Sequence, residues 1–113
     1  MRKQMIENAA FSVATQVRTV EDAIDNLLAD VGELQGRMAR ARGAMGIGPA
    51  TGQAAFEQLG SAVQALVSAR GAVAQCHCEL ASAKKAIPGL RTVSFGDTEC
   101  PPDVALGGLR VVA

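Results

Sequence analysis

Apolar residues recur at alternating spacings of four and three through the first forty or so residues of the chain. This rhythm is the heptad pattern of a helix that packs along one seam against another helix. With Ala10 at heptad position a and Val13 at position d, no charged residue falls on the seam. The pattern therefore predicts one long helix from about residue 4 to residue 42, with a dry and apolar contact face.

A glycine-rich stretch interrupts the heptads at residues 43–52 and predicts a turn. It holds four glycines and Pro49. Pro49 suits the first turn of a following helix and Thr51 suits its N-cap, so the sequence is compatible with either start. A second helix is predicted over 52–87, which makes the chain a helical hairpin.

The second helix repeats the four-three rhythm, and Arg70 interrupts it. Beside this seam runs a second stripe of small residues, namely Ala55, Ala62, Ala65, Ala69, Ala72 and Cys76. Because a lone hairpin offers each helix only one neighbour, two stripes predict a bundle of at least four helices built from copies of the chain, with a dimer favoured. The residues expected to form the oligomer seam are Val13, Val17, Val20, Ile24, Leu27, Val31, Leu34, Leu59, Val63, Leu66, Val73 and Leu80.

The chain changes character after Ile87-Pro88-Gly89, where proline and glycine end the helix. The residues beyond predict a short extended arm over 90–113. Its apolar side chains favour docking, while its terminal position and Gly107-Gly108 favour mobility, and both remain open. The predicted fold is therefore all-α: a long antiparallel, coiled-coil-like hairpin over 1–89 that assembles into an oligomeric helical bundle, followed by the arm.

Composition supports closely packed helices. The 113 residues include 21 alanines, no tryptophan or tyrosine, and only 3% aromatic residues, which disfavours the wide aromatic core of most small enzymes and a β-sandwich. The formal net charge is zero, so no global charge favours nucleic acid or an anionic membrane. No apolar run approaches the roughly 18 residues of a membrane span, and no signal peptide is recognisable. An intracellular protein, or one that is part of a larger assembly, is expected.

Three cysteines without a secretion signal indicate reduced thiols rather than a disulfide framework. Cys76, His77 and Cys78, with Cys100, are the only cluster with metal-ligand chemistry. Residues two apart on a helix point about 200° away from one another, so Cys76 and Cys78 cannot hold one ion on a continuous helix. The expectation is that Cys76 is a small seam residue, that His77 and Cys78 are flanking or exposed, and that the chain holds no metal or cofactor.

Positive charge is concentrated near the turn, at Arg37, Arg40 and Arg42. These arginines complement the C-terminal end of the helix dipole, and an anion could also bind there. Arg70 lies on an otherwise apolar seam and must be paired or must bind something. Acid-base chemistry by the carboxylates of the first helix would need a pocket with a positioned partner, and the only histidine lies in the other helix with no serine or lysine constellation around it, so enzymatic activity is not expected.

The expected function is that of a non-enzymatic, self-associating helical component with a structural or protein-interaction role. A further protein partner would dock on the hairpin tip or on the arm. The alternative is an oligomeric binding module that sequesters a small anionic ligand, nucleotide-like or a metabolite, between Arg37, Arg40, Arg42 and Arg70 of neighbouring copies.

Overall fold

The computed structural model describes residues 1–88 and Cys100, and every regular element in that part of the chain is helical. Helix α1 runs over Arg2–Met45 and helix α2 over Gln53–Ala83, followed by a 3₁₀ turn at Lys84–Ala86. The predicted all-α class is confirmed. The arm predicted at 90–113 lies outside the described residues except for Cys100, so its extended conformation stays a prediction.

Helix α1 ends in a Schellman motif, which places its last residue three positions later than the sequence predicts. The amide of Ile47 donates to the carbonyl of Arg42 at 3.3 Å, and the amide of Gly46 donates to Gly43 at 3.2 Å. Gly46 has a φ of 65°, a left-handed conformation that glycine adopts without steric cost. The helix therefore continues to Met45, up to the glycine that can reverse the chain.

Helix α2 begins at Gln53, one residue after the predicted start, but neither Pro49 in its first turn nor Thr51 at its cap is observed. The carbonyl of Gly52 accepts the amide of Phe56 at 3.1 Å, so Gly52 occupies the cap position. Its φ of 84° explains why a glycine stands there. Pro49 and Thr51 belong to the turn that precedes the helix.

The regular part of α2 ends at Ala83, before the predicted residue 87, because the last turn tightens to a 3₁₀ helix. Ile87 is extended, with φ −107° and ψ 115°. A residue that precedes a proline is sterically disfavoured in the helical region, and Pro88 follows directly. Proline therefore terminates the helix as predicted, but its effect reaches back over one turn.

The helices contribute to two compact units, Gln16–Ala74 and Met1–Thr15 with the chain from Gln75 onward. We call the first the hairpin unit and the second the terminal unit. In the hairpin unit α1 folds back on α2 through the turn, and the two helices meet through partly buried apolar residues. These are Val17, Val20, Ile24, Leu28 and Val31 on α1, and Phe56, Leu59, Val63, Leu66 and Val73 on α2.

The contact face of α1 in the hairpin unit differs from the predicted a/d seam. The a positions Val17, Ile24 and Val31 are partly buried, but the d positions Leu27 and Leu34 remain 47% and 49% exposed. The inward face instead includes the e positions, such as Leu28. The helix is thus rotated toward its a/e side, and the d-position leucines Leu27 and Leu34 lie on a flank of the hairpin.

The terminal unit has a small core of alanine. Ala10 of α1 and Ala81 of α2 are buried, and Ile6 and Ala14 pack against them. Among the described residues these two alanines are the only buried hydrophobic side chains. Val13, a predicted seam residue of this unit, is exposed, whereas Leu80 is partly buried.

Candidate functional site

The arginines near the turn are bound by groups of their own chain. Nε of Arg37 donates to Glu33 at 3.0 Å, and Nη2 of Arg40 lies 3.7 Å from the same carboxylate. Nη1 of Arg42 donates to the carbonyl of Ile47 at 3.1 Å, across the C-terminal end of α1. Arg42 therefore helps to close the turn. An anion site at these arginines stays a prediction, and binding there would have to compete with these contacts.

Arg70 is the charged residue that interrupts the seam of α2, and the structure pairs it with Asp25 of α1. The Nε to Oδ1 distance is 2.6 Å, and 59% of the Arg70 side chain remains exposed. The hydrogen bond to Asp25, and then the charge of Asp25, raise the pKa of Arg70 above its ordinary value. The pair joins the two helices of the hairpin unit at solvent, so Arg70 is not a buried charge that requires a ligand.

Replacing Arg70 with methionine is expected to change the urea midpoint of unfolding only slightly, because exposed ion pairs contribute little and salt screens them. The measurement is urea unfolding followed by circular dichroism at low and high salt. Arg18→Met is the matched control, since Arg18 is also exposed and forms no ion pair with another described residue. A large loss of stability in Arg70→Met alone would contradict this prediction.

The expectation of reduced thiols is wrong for two of the three cysteines. Cys78 and Cys100 form a disulfide with their Cα atoms 5.5 Å apart, and Cys76 is a free, exposed thiol. The expected seam position of Cys76 and flanking position of His77 are also wrong, because His77 is buried and Cys76 faces solvent. The reason is the helical register: His77 lies four residues before the buried Ala81 and so shares its side of α2.

The predicted cysteine and histidine cluster is not brought together as a metal site. The disulfide occupies the thiols of Cys78 and Cys100, and Cys76 and His77 point in different directions by their exposure. Within residues 1–88 and Cys100, no three histidine, cysteine or carboxylate side chains are placed to hold one ion.

Two buried polar residues in the terminal unit were not singled out from the sequence as inward-facing. His77 is 3% and Lys84 5% exposed, and no buried side-chain nitrogen or oxygen in the described part of the chain lacks a hydrogen-bond partner. The signal was present, because Phe56, Val63 and Arg70 continue at the same spacing of seven to His77 and Lys84. The long aliphatic stem of Lys84 can cover apolar surface, which makes a lysine compatible with this inward-facing position.

One flank of the hairpin unit carries exposed apolar residues from both helices. The Asp25–Arg70 pair marks the opposite flank, where Val67 also lies by its helical position. On the flank without this ion pair, the d-position residues Leu27 and Leu34 of α1 lie on the same side of the hairpin as the alanine stripe of α2. Heptad positions fix which residues share a side of each helix. We call this surface the apolar flank and define it by Leu27, Leu34, Ala62 and Ala69, all of which are exposed.

A shallow depression of about 290 Å³ in the terminal unit is lined by Arg2, Lys3, Ile6 and Pro88. It places two cations beside apolar side chains at the start of α1. No other feature of the described residues marks it as a site.

The comparisons with known proteins give no family and no relative. The chain matches no family model, no curated protein and no solved structure. Neither α1 nor α2 contains an apolar stretch long enough for a membrane-spanning helix, among the residues that the structure describes.

Proposed function

We propose that this protein is a non-enzymatic helical component that associates with copies of itself and has a structural or protein-interaction role. The observation that carries the proposal is the shortage of buried apolar side chains. Of all apolar residues in 1–88 and Cys100, only Ala10 and Ala81 are buried, while Leu27 and Leu34 are about half exposed.

Self-association supplies the burial that each chain lacks by itself. Burying a leucine side chain fully contributes roughly 1.5 to 3 kcal/mol relative to leaving it in water. Helices whose apolar face finds no partner derive little stability from intrinsic propensity alone. A second copy that covers the apolar flank would remove Leu27 and Leu34 from water and would leave the charged opposite flank exposed.

The non-enzymatic part of the proposal is supported by the state of the polar groups. The arginines Arg37, Arg40, Arg42 and Arg70 contact carboxylates or a carbonyl of their own chain, and Lys84 and His77 are buried without an orphaned polar atom. Catalytic groups in an active site require a shared pocket that positions them toward a substrate. The described residues therefore offer an exposed apolar surface for association and not a set of polar groups directed at a substrate.

The Cys78–Cys100 disulfide bears on the compartment in which the protein works. The intracellular expectation stays a prediction, and the Cys78–Cys100 disulfide weighs against it, because structural disulfides persist mainly in oxidising compartments. A component of an extracellular or otherwise oxidised assembly fits both the disulfide and the apolar flank.

The proposal is tested by the oligomeric state of the full chain. The wild-type protein is expected to form a dimer or a larger oligomer at micromolar concentration, measured by native mass spectrometry and sedimentation equilibrium. Leu27→Glu combined with Leu34→Glu should weaken association at least about 100-fold, because glutamate keeps the helix propensity but places charge on the apolar flank.

The matched control is Asn26→Glu combined with Ala29→Glu, which adds two carboxylates at exposed positions on other sides of α1. This control should leave the mass of the oligomer unchanged. A wild-type chain that is monomeric at 100-fold higher concentration than the first measurement would refute the proposed function.

A further inference from the structure

We infer that two copies pair through their apolar flanks as an antiparallel dimer, with a two-fold axis that passes near Leu34 of α1 and Ala62 of α2. In this arrangement Asp30 of each copy forms an ion pair with Arg37 of the other. The inference rests on the proposed self-association and specifies which surface of the hairpin unit is used and in which register.

The area of the flank is sufficient for a stable dimer. The part of α1 within the hairpin unit, Gln16–Met45, is about 45 Å long at 1.5 Å per residue, and two adjacent helices are about 20 Å wide. The α2 part of the unit, residues 53–74, is only about 33 Å long. The flank therefore covers about 800 Å², compared with about 800 Å² per partner in a stable interface of standard size. Its four defining residues carry no charge.

The charged residues beside the flank form attractive pairs only when the two α1 helices run antiparallel. Asp30 lies one helical turn before Leu34 and Arg37 lies one turn after it, so all three border or occupy the same side of α1. An antiparallel pair of α1 helices centred on Leu34 brings Asp30 of one copy beside Arg37 of the other, twice per dimer. Heptad g positions face each other across antiparallel helices, and both Asp30 and Arg37 occupy g.

Within its own chain Arg37 pairs with Glu33 and not with Asp30, so both Asp30 and part of the Arg37 guanidinium can contact a second copy. Arg37 is bound through Nε to Glu33, which leaves its terminal nitrogens free to donate to a second carboxylate. Asp30 is exposed and forms no ion pair with any residue in 1–88 or with Cys100. An exposed carboxylate at the edge of an apolar surface is what a polar rim requires.

The same two-fold axis also brings the alanine stripes of the two α2 helices together. Leu34 is nine residues beyond Asp25 on α1, and Ala62 is eight residues before Arg70 on α2, so the Asp25–Arg70 pair sets Leu34 and Ala62 at nearly the same level. An axis near Leu34 therefore places Ala62 beside Ala62 of the second copy and Ala55 beside Ala69. Small side chains allow the α2 helices to approach closely, which compensates for the larger leucines between the α1 helices.

Exchange of the two charges tests this arrangement. Asp30→Arg alone and Arg37→Asp alone should each weaken homodimer formation about tenfold or more, because each variant opposes like charges at two places. An equimolar mixture of the two variants should form heterodimers in preference to either homodimer, since both contacts are then attractive. The doubly exchanged chain should dimerise about as well as the wild type, and native mass spectrometry separates all of these species.

Asp22→Arg and Arg18→Asp are the matched controls, because they make the same charge changes on sides of α1 away from the flank. Their mixture should show no preference for heterodimers. In a parallel dimer, where α1 of one copy lies on α2 of the other, Asp30 would face Ala65 and the exchange would have no effect. A wild-type dimer that ignores the Asp30 and Arg37 exchange would overturn the inference and leave the proposed function intact, whereas a monomeric wild type would remove both.

A covalent measurement decides the question if the exchanged variants fail to fold. In a Cys76→Ser background, Ala62→Cys should oxidise to a dimer linked through residue 62, because a residue beside a two-fold axis meets its own copy. Ser61→Cys, one position away on the outer side of α2, is the control and should remain unlinked. Equal linking of both variants, or none of Ala62→Cys in a proven dimer, would place the axis elsewhere.

Discussion

Removing the Cys78–Cys100 disulfide should lower the free energy of unfolding by about 3 kcal/mol, because the bond closes a loop with a sequence separation of 22 residues. The stabilisation comes mainly from the smaller conformational freedom of the unfolded chain, and it grows with loop length. Cys78→Ser, Cys100→Ser and the double variant should show the same loss, since each removes the same bond. Urea unfolding of the oxidised proteins measures it.

Two controls distinguish the effect of losing the disulfide bond from the effect of replacing a sulfur atom by oxygen. Cys76→Ser should unfold like the wild type, because Cys76 is exposed and free. The wild-type protein in excess reductant should lose stability to the level of the double variant, which reductant should not change further. A count of three free thiols in the purified, unreduced protein would contradict the pairing itself.

The helical hairpin could be predicted from the sequence because several independent signals agree. The four-three spacing of apolar residues identified both helices, and the glycines of 43–52 identified the turn. The predicted helix ends differ from those in the structure by one to four residues. They depend on single backbone groups, such as the Gly46 and Gly52 conformations and the extended Ile87 before Pro88, which the hydrophobic pattern does not contain.

The rotation of α1 could not be predicted from the heptads alone. A run of apolar a and d positions is equally compatible with a helix that turns its a/d side or its a/e side toward a single neighbour. In the hairpin unit the a/e side faces inward, which brings Asp25, and the charge of Glu21, toward Arg70. The ion pair on one flank leaves the leucines of the d positions on the other, and this asymmetry creates the apolar flank.

The cysteine pairing could not be predicted from the sequence for a different reason. Three cysteines allow three different single disulfides, and spacing does not select among them. Cys78 and Cys100 are 22 residues apart in sequence, so their pairing is a non-local property of the fold. The buried position of His77, by contrast, was available from the sequence, because His77 follows the apolar Phe56 and Val63 by multiples of seven residues.

Ala10→Glu should strongly destabilise the terminal unit. Ala10 and Ala81 form the core of the terminal unit, where Ile6 and Ala14 pack against them, so a longer side chain at Ala10 would have to displace these neighbours. A carboxylate forced into this contact would be buried without a partner, at a cost of roughly 3 kcal/mol or more, or would separate the two helix segments. Hydrogen exchange should then show faster exchange of amides in Met1–Thr15 and in the last turns of α2.

Ala9→Glu provides a control of the same chemistry one residue away, because Ala9 is exposed while Ala10 is buried. It should change stability by less than about 0.5 kcal/mol, the usual range of surface substitutions. The amides of the hairpin unit should keep their protection in both variants, since neither substitution touches the contacts of Gln16–Ala74. Equal effects of Ala9→Glu and Ala10→Glu would show that the N-terminal turns of α1 do not pack on α2 in solution, and the alanine core would then make no contribution to folding.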